Sequence, residues 1–394
     1  MKLSIITPSH NPIHLRELEE SILANTYQNW EWIILLNNGA TYSSTDSRIK
    51  VYNSTKDTTF VGALKKEACS IASGEAIIEV DHDDMITPDC LEEIAKAFTN
   101  SEIGFVYSDN AKLSDNFIPY NPVFGWTYKS FEWKGKELIS MNSQRLTPGR
   151  LGLIWYAPDH VRAWRKTVYD SVGGHDESME VMDDLDLMHK LYMVTKFKHI
   201  DKTLYIYRIH GDNTWLKKNQ LIQKMNMGVF LRDIEVLTMR WADQNSLMKI
   251  DLCGGFNKPS GYMSIDLEGA DLIADLNKGI PLPDNSCGLV RAYDALEHLV
   301  DKHKTMKEIH RVLAPGGVLL SMTPSTDGRG AWQDPTHVSF WNQNCFWYYT
   351  RPEQMQYIRN MDIVFYEGLL RTFYPSEYHE QNNISYVQAI LEKK

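Results

Sequence analysis

Four side chains able to hold a proton or a cation stand together at Asp81-His82-Asp83-Asp84, directly after the apolar run Ala76-Ile77-Ile78-Glu79-Val80. An apolar run of this length predicts a buried strand, and the carboxyl end of such a strand is where open α/β sheets hold ligands. Three carboxylates this close repel one another unless a positive charge lies between them. A divalent metal bridging to an anionic ligand such as a diphosphate meets that condition. The plainer alternative is solvated loop charge capping a helix that begins near Pro88.

Other groups of the same kind recur along the chain. Thr7-Pro8-Ser9-His10-Asn11 follows the first strand, in a turn able to offer backbone groups to a base or ribose. Val172-Gly173-Gly174-His175-Asp176-Glu177 leads to Asp183-Asp184-Leu185-Asp186-Leu187, and Tyr207-Arg208-Ile209-His210-Gly211-Asp212-Asn213-Thr214 follows. In the second half, Ile250-Asp251-Leu252-Cys253-Gly254-Gly255 ends a strand on a glycine pair, and Asp266 ends the next. Glycine lets backbone approach a ligand closely, and an acid at the second strand's tip can accept from both ribose hydroxyls.

The elements that position these groups read as two α/β series. Strands are predicted at residues 3–6, 32–36, 49–52, 76–80 and 104–107, with helices at 15–23, 61–72 and 88–98 between them. This order predicts a mostly parallel sheet covered by helices on both faces. Residues 109–159 are irregular and rich in Pro, Gly, Trp and Tyr, a pattern that in a compact domain marks function or mobility. A helical stretch at 216–247 reads as a connector. A second series starts at 248: strands at 248–252, 262–266, 288–292 and 318–322, a helix at 302–313, and a turn at Pro315-Gly316-Gly317. The predicted organisation is therefore a domain at 1–215, a helical linker at 216–247 and a second domain at 248–394.

Bulk composition excludes several classes. The chain has 394 residues, 43% hydrophobic and 23% charged, as in globular proteins. Its formal charge of −10, without a basic block, argues against nucleic acid as a partner. Five cysteines (Cys69, Cys90, Cys253, Cys287, Cys345) show no C-x-x-C pairing and read as reduced thiols of a cytoplasmic protein. The first apolar run is too short for a signal peptide. No run of about 18 apolar residues predicts a membrane span, which leaves peripheral membrane contact open. Nothing in the sequence bears on oligomeric state.

Taken in order and spacing, the first set of motifs resembles glycosyltransferase family 2, the inverting GT-A enzymes that use nucleotide-diphosphate sugars, over residues 1–215. The resemblance implies that Asp81 and Asp83 form the D-x-D, with Asp83 a direct ligand of Mn²⁺ or Mg²⁺ and Asp84 supporting it. It implies Asp184 as the general base toward a glycan or other hydroxyl acceptor. Asp183 stands where the family usually has Glu, to orient the acceptor or act as base itself, and Asp186 anchors the following helix. His210 matches a histidine that reaches the metal or diphosphate, or is a core histidine. Lys65 falls where an arginine often faces the donor. Thr7 belongs to the turn facing the nucleotide. Asn37-Asn38-Gly39 replaces the usual Asp-Asp-Gly, so Asn38 would offer an amide to the base; a UDP-sugar is the favoured donor. Trp126, Trp133 and Trp155 are either sugar platforms or packing.

The second series resembles class I S-adenosylmethionine-dependent methyltransferases over residues 248–345, through Asp294-Ala295-Leu296-Glu297-His298 and Leu313-Ala314-Pro315-Gly316-Gly317. The resemblance implies a Rossmann-like fold in which Asp251, Gly254, Gly255 and Asp266 hold S-adenosylmethionine. Asp275 would lie near its adenine, and Asp294 beside the transferred methyl. His298 and His337 are alternative bases for an acceptor hydroxyl. The glycine motif is altered, reading Cys253-Gly254-Gly255-Phe256-Asn257. Two readings follow: a bifunctional enzyme that transfers a sugar and O-methylates a related hydroxyl, or a glycosyltransferase whose second domain is a non-catalytic interaction or acceptor-orienting module.

Overall fold

The structure, a computed structural model, describes residues 1–114, 117–119, 125–154 and 157–394. It divides into two compact units: residues 1–146 with 150–232, and residues 147–149 with 233–394. Helix Asn219–Gln244 passes from one into the other, its division falling after Arg232.

Among its described residues the amino-terminal unit builds a ten-stranded sheet. Its strands are β1 (Leu3–Ser9), β2 (Trp30–Leu36), β3 (Ile49–Asn53), β4 (Ala76–Glu79), β5 (Met85–Ile86), β6 (Ile103–Leu113), β7 (Tyr128–Trp133), β8 (Lys136–Met141), β9 (Arg162–Arg165) and β10 (Lys196–Arg208). The order is β3-β2-β1-β4-β9-β6-β10-β5, with β8 pairing β6 and β7 in a hairpin. One parallel part, β3-β2-β1-β4, is the one the sequence pattern predicts, and β6 pairs with β10 in parallel as well. The prediction of a mostly parallel sheet is corrected by β9, which enters antiparallel between β4 and β6. This strand is four residues with arginine at both ends, so it lacks the apolar run that marks a buried strand.

Helix Leu15–Leu23 shows why the fold holds elements too short to stand alone. Nine residues are marginal as an isolated helix in water. Leu15, Leu18 and Ile22 fall on one face and are fully buried in the core cluster that includes Leu3, Ile5, Trp32, Ile34 and Ile86. Each contributes about 1.5–3 kcal/mol relative to exposure. The predicted helix at 88–98 is shorter, Cys90–Ala97, with Asp89 before it and Pro88 outside.

The carboxyl-terminal unit has a seven-stranded sheet, in the order β13-β12-β11-β14-β15-β17-β16. The strands are β11 (Met248–Leu252), β12 (Met263–Asp266), β13 (Leu272–Ile273), β14 (Cys287–Tyr293), β15 (Leu313–Pro324), β16 (Phe365–Phe373) and β17 (Tyr386–Lys393). The first five are parallel neighbours and the last two close the sheet antiparallel. The predicted turn at Pro315-Gly316-Gly317 lies within β15 as a register shift against β14, so the extra residues bulge and the strand continues. Helix Lys302–Val312 packs Met306, Ile309 and Val312 into this core.

In the first unit, close backbone approach fixes where helix Val61–Ile71 lies. A Cβ at Gly62 would stand 2.1 Å from the Asp176 carbonyl oxygen and 3.2 Å from Asp183 Cβ. Gly62→Ala is therefore expected to destabilise the chain by about 1–3 kcal/mol, read as a lower urea midpoint with unchanged slope; an unaltered midpoint would show that the contact is loose.

Candidate functional site

The acidic cluster sits where β4 ends, on a cleft of about 480 Å³. This falls in the range of small-molecule sites. β1 and the residues just after it supply one wall through Pro8, His10 and Asn11, and the turn after β2 supplies Asn37 and Asn38. Asn38 adopts φ 53°, a left-handed conformation its short amide tolerates, and is exposed at the cleft. Helix Asp183–Val194 supplies Asp183 and Asp184, and the end of β10 brings His210.

The cluster's carboxylates are not equivalent. Asp84 is buried; its Oδ1 accepts from the Arg208 N–H at 2.7 Å, and the Tyr205 hydroxyl lies beside its carboxyl. Burial, with Asp83 and Asp81 beside it, pushes its carboxyl well above the usual range. Asp83 accepts from His210 Nε2 at 2.8 Å. Asp81 keeps 40% of its side-chain surface open to the cleft, yet it lies deep enough that burial, reinforced by Glu79 and Asp83, pushes it up to about 7. Three carboxylates crowded in this way, Asp81 and Asp84 raised by it, fit a bound divalent cation, which would supply the missing positive charge.

Behind them lies a buried ion network. Glu79, inside β4, is paired in register with Arg162 of β9. Lys65 Nζ donates to Glu79 at 2.9 Å and stands 3.4 Å from Asp183. Arg162 Nη1 donates to Asp184 Oδ2 at 2.5 Å, and its Nε to the Pro158 carbonyl at 2.8 Å. Against the effect of burial, Arg162 and Lys65 hold Asp184 below the usual carboxylate range, whereas burial leaves Asp183 raised. Glu79 stays well below its ordinary value because Lys65, His175 and Arg162 outweigh burial. Met182, which precedes both aspartates, sits at φ 68°, a conformation costing a non-glycine residue about 1–2 kcal/mol. Such strain beside a site is kept only where the surroundings enforce it.

The second unit places a separate set at the carboxyl ends of β11, β12 and β14. Asp251 is buried and accepts from Arg291 Nη1 at 2.8 Å. A Cβ at Gly254 would lie 2.4 Å from Asp251 Oδ2, and one at Gly255, with φ 45°, 3.2 Å from Asp266 Oδ2. Cys253 adopts φ 55°, so a thiol side chain stands in a conformation glycine normally supplies. Asp266 accepts from the Leu267 N–H at 2.6 Å. Asp275 caps the turn Leu276–Lys278 by accepting from the Asn277 N–H. Asp294 follows β14 at φ 48° and is exposed. The His298 and His337 rings meet edge to face at 5.1 Å.

Comparison with known proteins assigns each unit. Residues 4–166 match the family model for glycosyl transferase family 2, and residues 257–321 match that for a methyltransferase domain. The chain carries a family 2 glycosyltransferase domain fused to a methyltransferase domain. A hyaluronan synthase of Pasteurella multocida is 28% identical over 285 residues, 70% of this chain and 27% of its own length. The chain thus spans about a quarter of that relative. A probable S-adenosylmethionine-dependent methyltransferase of Mycolicibacterium smegmatis is 40% identical over 81 residues, 20% of this chain and 30% of the other. The S. aureus TarS 1-349 structure in complex with UDP-GlcNAc superposes with a TM-score of 0.45 at 16% identity, covering 62% of this chain and 71% of that one. Among the described residues no helix is long and apolar enough to cross a membrane.

In the glycosyltransferase domain the cleft gathers Asn38, Lys65, Asp81, Asp83, Asp84, Asp183, Asp184 and His210. Thr7 is a correction. It lies inside β1, fully buried, its Oγ1 donating to the Val80 carbonyl at 2.8 Å and accepting from Trp32 Nε1 at 2.9 Å. Pro8, His10 and Asn11 line the cleft in its place. Lys65 is a second correction: its ammonium is bound to Glu79 and close to Asp183, which makes it a tie between carboxylates. His210 Nδ1 accepts from the Asp212 N–H at 3.1 Å, so Nε2 carries the proton and donates to Asp83. In this tautomer it holds a carboxylate and offers no lone pair to a metal. Asp186 bonds Arg232 at 2.7 Å and Lys190 at 2.6 Å, in keeping with a helix anchor. Trp126 is buried and Trp133 lies on the β7–β8 hairpin; neither lines this cleft, and Trp155 lies outside the described residues. Trp215 does line it.

Arg162, Glu79 and His160 were not predicted. Glu79 had a signal, a lone carboxylate inside an apolar strand. Arg162 and His160 had none, since they enter the site through the antiparallel insertion of β9. Arg162→Met leaves Glu79 and Asp184 with too little positive charge, and breaking buried pairs of this kind costs about 3–5 kcal/mol. Urea unfolding of the full chain is expected to show that loss, with Arg162→Lys recovering part of it; a change below about 1 kcal/mol would mean the carboxylates take up protons instead.

Proposed function

We propose that the glycosyltransferase domain transfers a sugar from a nucleotide-diphosphate donor, with a UDP-sugar favoured, to a glycan or other hydroxyl acceptor with inversion. The observation that carries this reading is the meeting of Asp81 and Asp83 with Asp184 on one cleft. Eight carboxylates line that cleft against five lysines and arginines. A diphosphate can settle there only with a cation between, so Mn²⁺ or Mg²⁺ on Asp83 and Asp81 would neutralise the leaving diphosphate. Similarity to a hyaluronan synthase supports a glycan as acceptor.

Of the two aspartates, Asp184 is the base in this reading because it is the more open, 20% exposed against 4% for Asp183. Arg162 holds its carboxylate in place and ionised. Asp184 Oδ atoms would take the acceptor hydroxyl's proton as the oxygen attacks the anomeric carbon. Asp183, deeper and beside Lys65, positions it.

The methyltransferase domain would bind S-adenosylmethionine and methylate a hydroxyl, with a sugar hydroxyl favoured. Gly254 and Gly255 present backbone without side chain, and the Asp266 carboxylate can accept from a ribose. Fusion on one chain would raise the effective concentration of the first product at the second site. The alternative, a non-catalytic module, is separated by calorimetry: the bifunctional reading expects saturable heat with S-adenosylmethionine, lost in Asp266→Ala, while no heat at millimolar cofactor supports the module.

Sugar transfer is tested by nucleotide release from a panel of nucleotide sugars. Asp184→Asn is expected to lower kcat about 10²–10⁴-fold with donor affinity nearly unchanged. A chelator should stop release, and Mn²⁺ or Mg²⁺ restore it. Full activity in Asp184→Asn would refute the base assignment.

A further inference from the structure

We propose that Glu297, His298 and His337 form a divalent transition-metal site in the methyltransferase domain, suited to Zn²⁺ or an ion of similar softness. One ligand atom from each of the three lies within 4.8 Å of the others. The inference rests on neither sugar nor methyl transfer.

Hydrogen bonding decides between a metal site and an ordinary histidine pair. His298 Nδ1 lies 3.2 Å from the Thr336 carbonyl, and His337 Nδ1 lies 3.0 Å from the Ala331 carbonyl. A carbonyl only accepts, so each Nδ1 carries the ring proton and each Nε2 is left as a lone pair. This is the arrangement in which backbone carbonyls orient metal-binding imidazoles. Glu297 is buried; its Oε2 accepts from Thr323 Oγ1 at 2.5 Å, and its Oε1 is buried without a partner. Each imidazole therefore keeps its Nε2 lone pair, and Glu297 beside them keeps an unpartnered carboxylate oxygen. Three acceptors around one point call for a cation.

The group is also held in advance. The Glu297 carbonyl accepts from the N–H groups of Val338 at 2.9 Å and Ser339 at 3.0 Å, tying the turn that carries Glu297 and His298 to the segment that carries His337. Asp334 Oδ2 stands 4.0 Å from His337 Nε2 at the edge of the group. Two imidazoles and one carboxylate are a ligand set for zinc with an open position, whereas the all-carboxylate cluster of the glycosyltransferase cleft suits harder Mg²⁺ or Mn²⁺. As ligands, His298 and His337 would not be free to act as bases. An acceptor hydroxyl at the open position would instead be acidified by the ion.

The test uses the full chain, stripped with chelator and titrated with Co²⁺. One equivalent is expected to give the visible absorption of four- or five-coordinate Co²⁺ with nitrogen ligands, bleached by Zn²⁺. His298→Ala and His337→Ala should each abolish that band, while Asp83→Asn, in the other domain, should leave it. Glu297→Gln, which keeps volume, should weaken Co²⁺ binding, and decides the matter where a histidine variant fails to fold by circular dichroism. Absence of the band in the parent chain, as when only a water fills the group, overturns the proposal, as does an undiminished band in folded His337→Ala.

Discussion

Two cations buried among more carboxylates than they can balance set the architecture of the glycosyltransferase cleft. Lys65 reaches Glu79 and Asp183, and Arg162 reaches Asp184. At an effective dielectric near 20, unit charges 4 Å apart interact by about 4 kcal/mol, so like charges at these spacings cannot share a cleft without such ties. The pairing of Glu79 with Arg162 across β4 and β9 is what allows carboxylates at the end of one strand and the start of a distant helix to face the same space. Without the antiparallel strand, Glu79 and Asp184 would lose the Arg162 charge they share.

The ties also divide labour among residues of one type. Asp183 and Asp184 are neighbours in sequence, yet one is pushed up by burial and the other held down by Arg162. Asp83 is held by a histidine proton, Asp84 by a backbone N–H, and Asp81 faces the cleft. Residue type therefore says little about role at this site. The partner each carboxylate meets is what separates a structural acid from one left open to a ligand.

Much of the fold was legible because it depends on local apolar pattern. Helix Leu15–Leu23 and the parallel strands β1 to β4 follow from runs that can be buried in only one way. Legibility stopped where burial is ionic. β9 is a buried strand whose ends are arginines, and no hydrophobic period announces it. The same limit applies to Lys65, whose spacing placed it at the cleft but could not show that two carboxylates already hold its ammonium. Thr7 failed for the opposite reason: a polar residue before Pro8 reads as turn, but its hydroxyl satisfies Trp32 and a backbone carbonyl within the core. Beyond the last strand that the sequence predicts, at 318–322, the chain supplies β16 and β17, antiparallel strands that close the second sheet.

His298 and His337 show what coordinates add beyond a residue list. In sequence they are rival candidates for one task, 39 positions apart. In the fold their protons both point away, to carbonyls of Thr336 and Ala331, so their remaining lone pairs cannot satisfy each other or Glu297. A catalytic base needs a partner to stabilise the proton it gains, and Glu297 could serve one histidine that way, but then the other would be left facing a positive ring. A cation satisfies all three at once. The methyltransferase domain thus poses a problem related to that of the glycosyltransferase cleft, more acceptors than cations, in softer ligands, and the difference in ligand type is what would keep the two sites loaded with different ions.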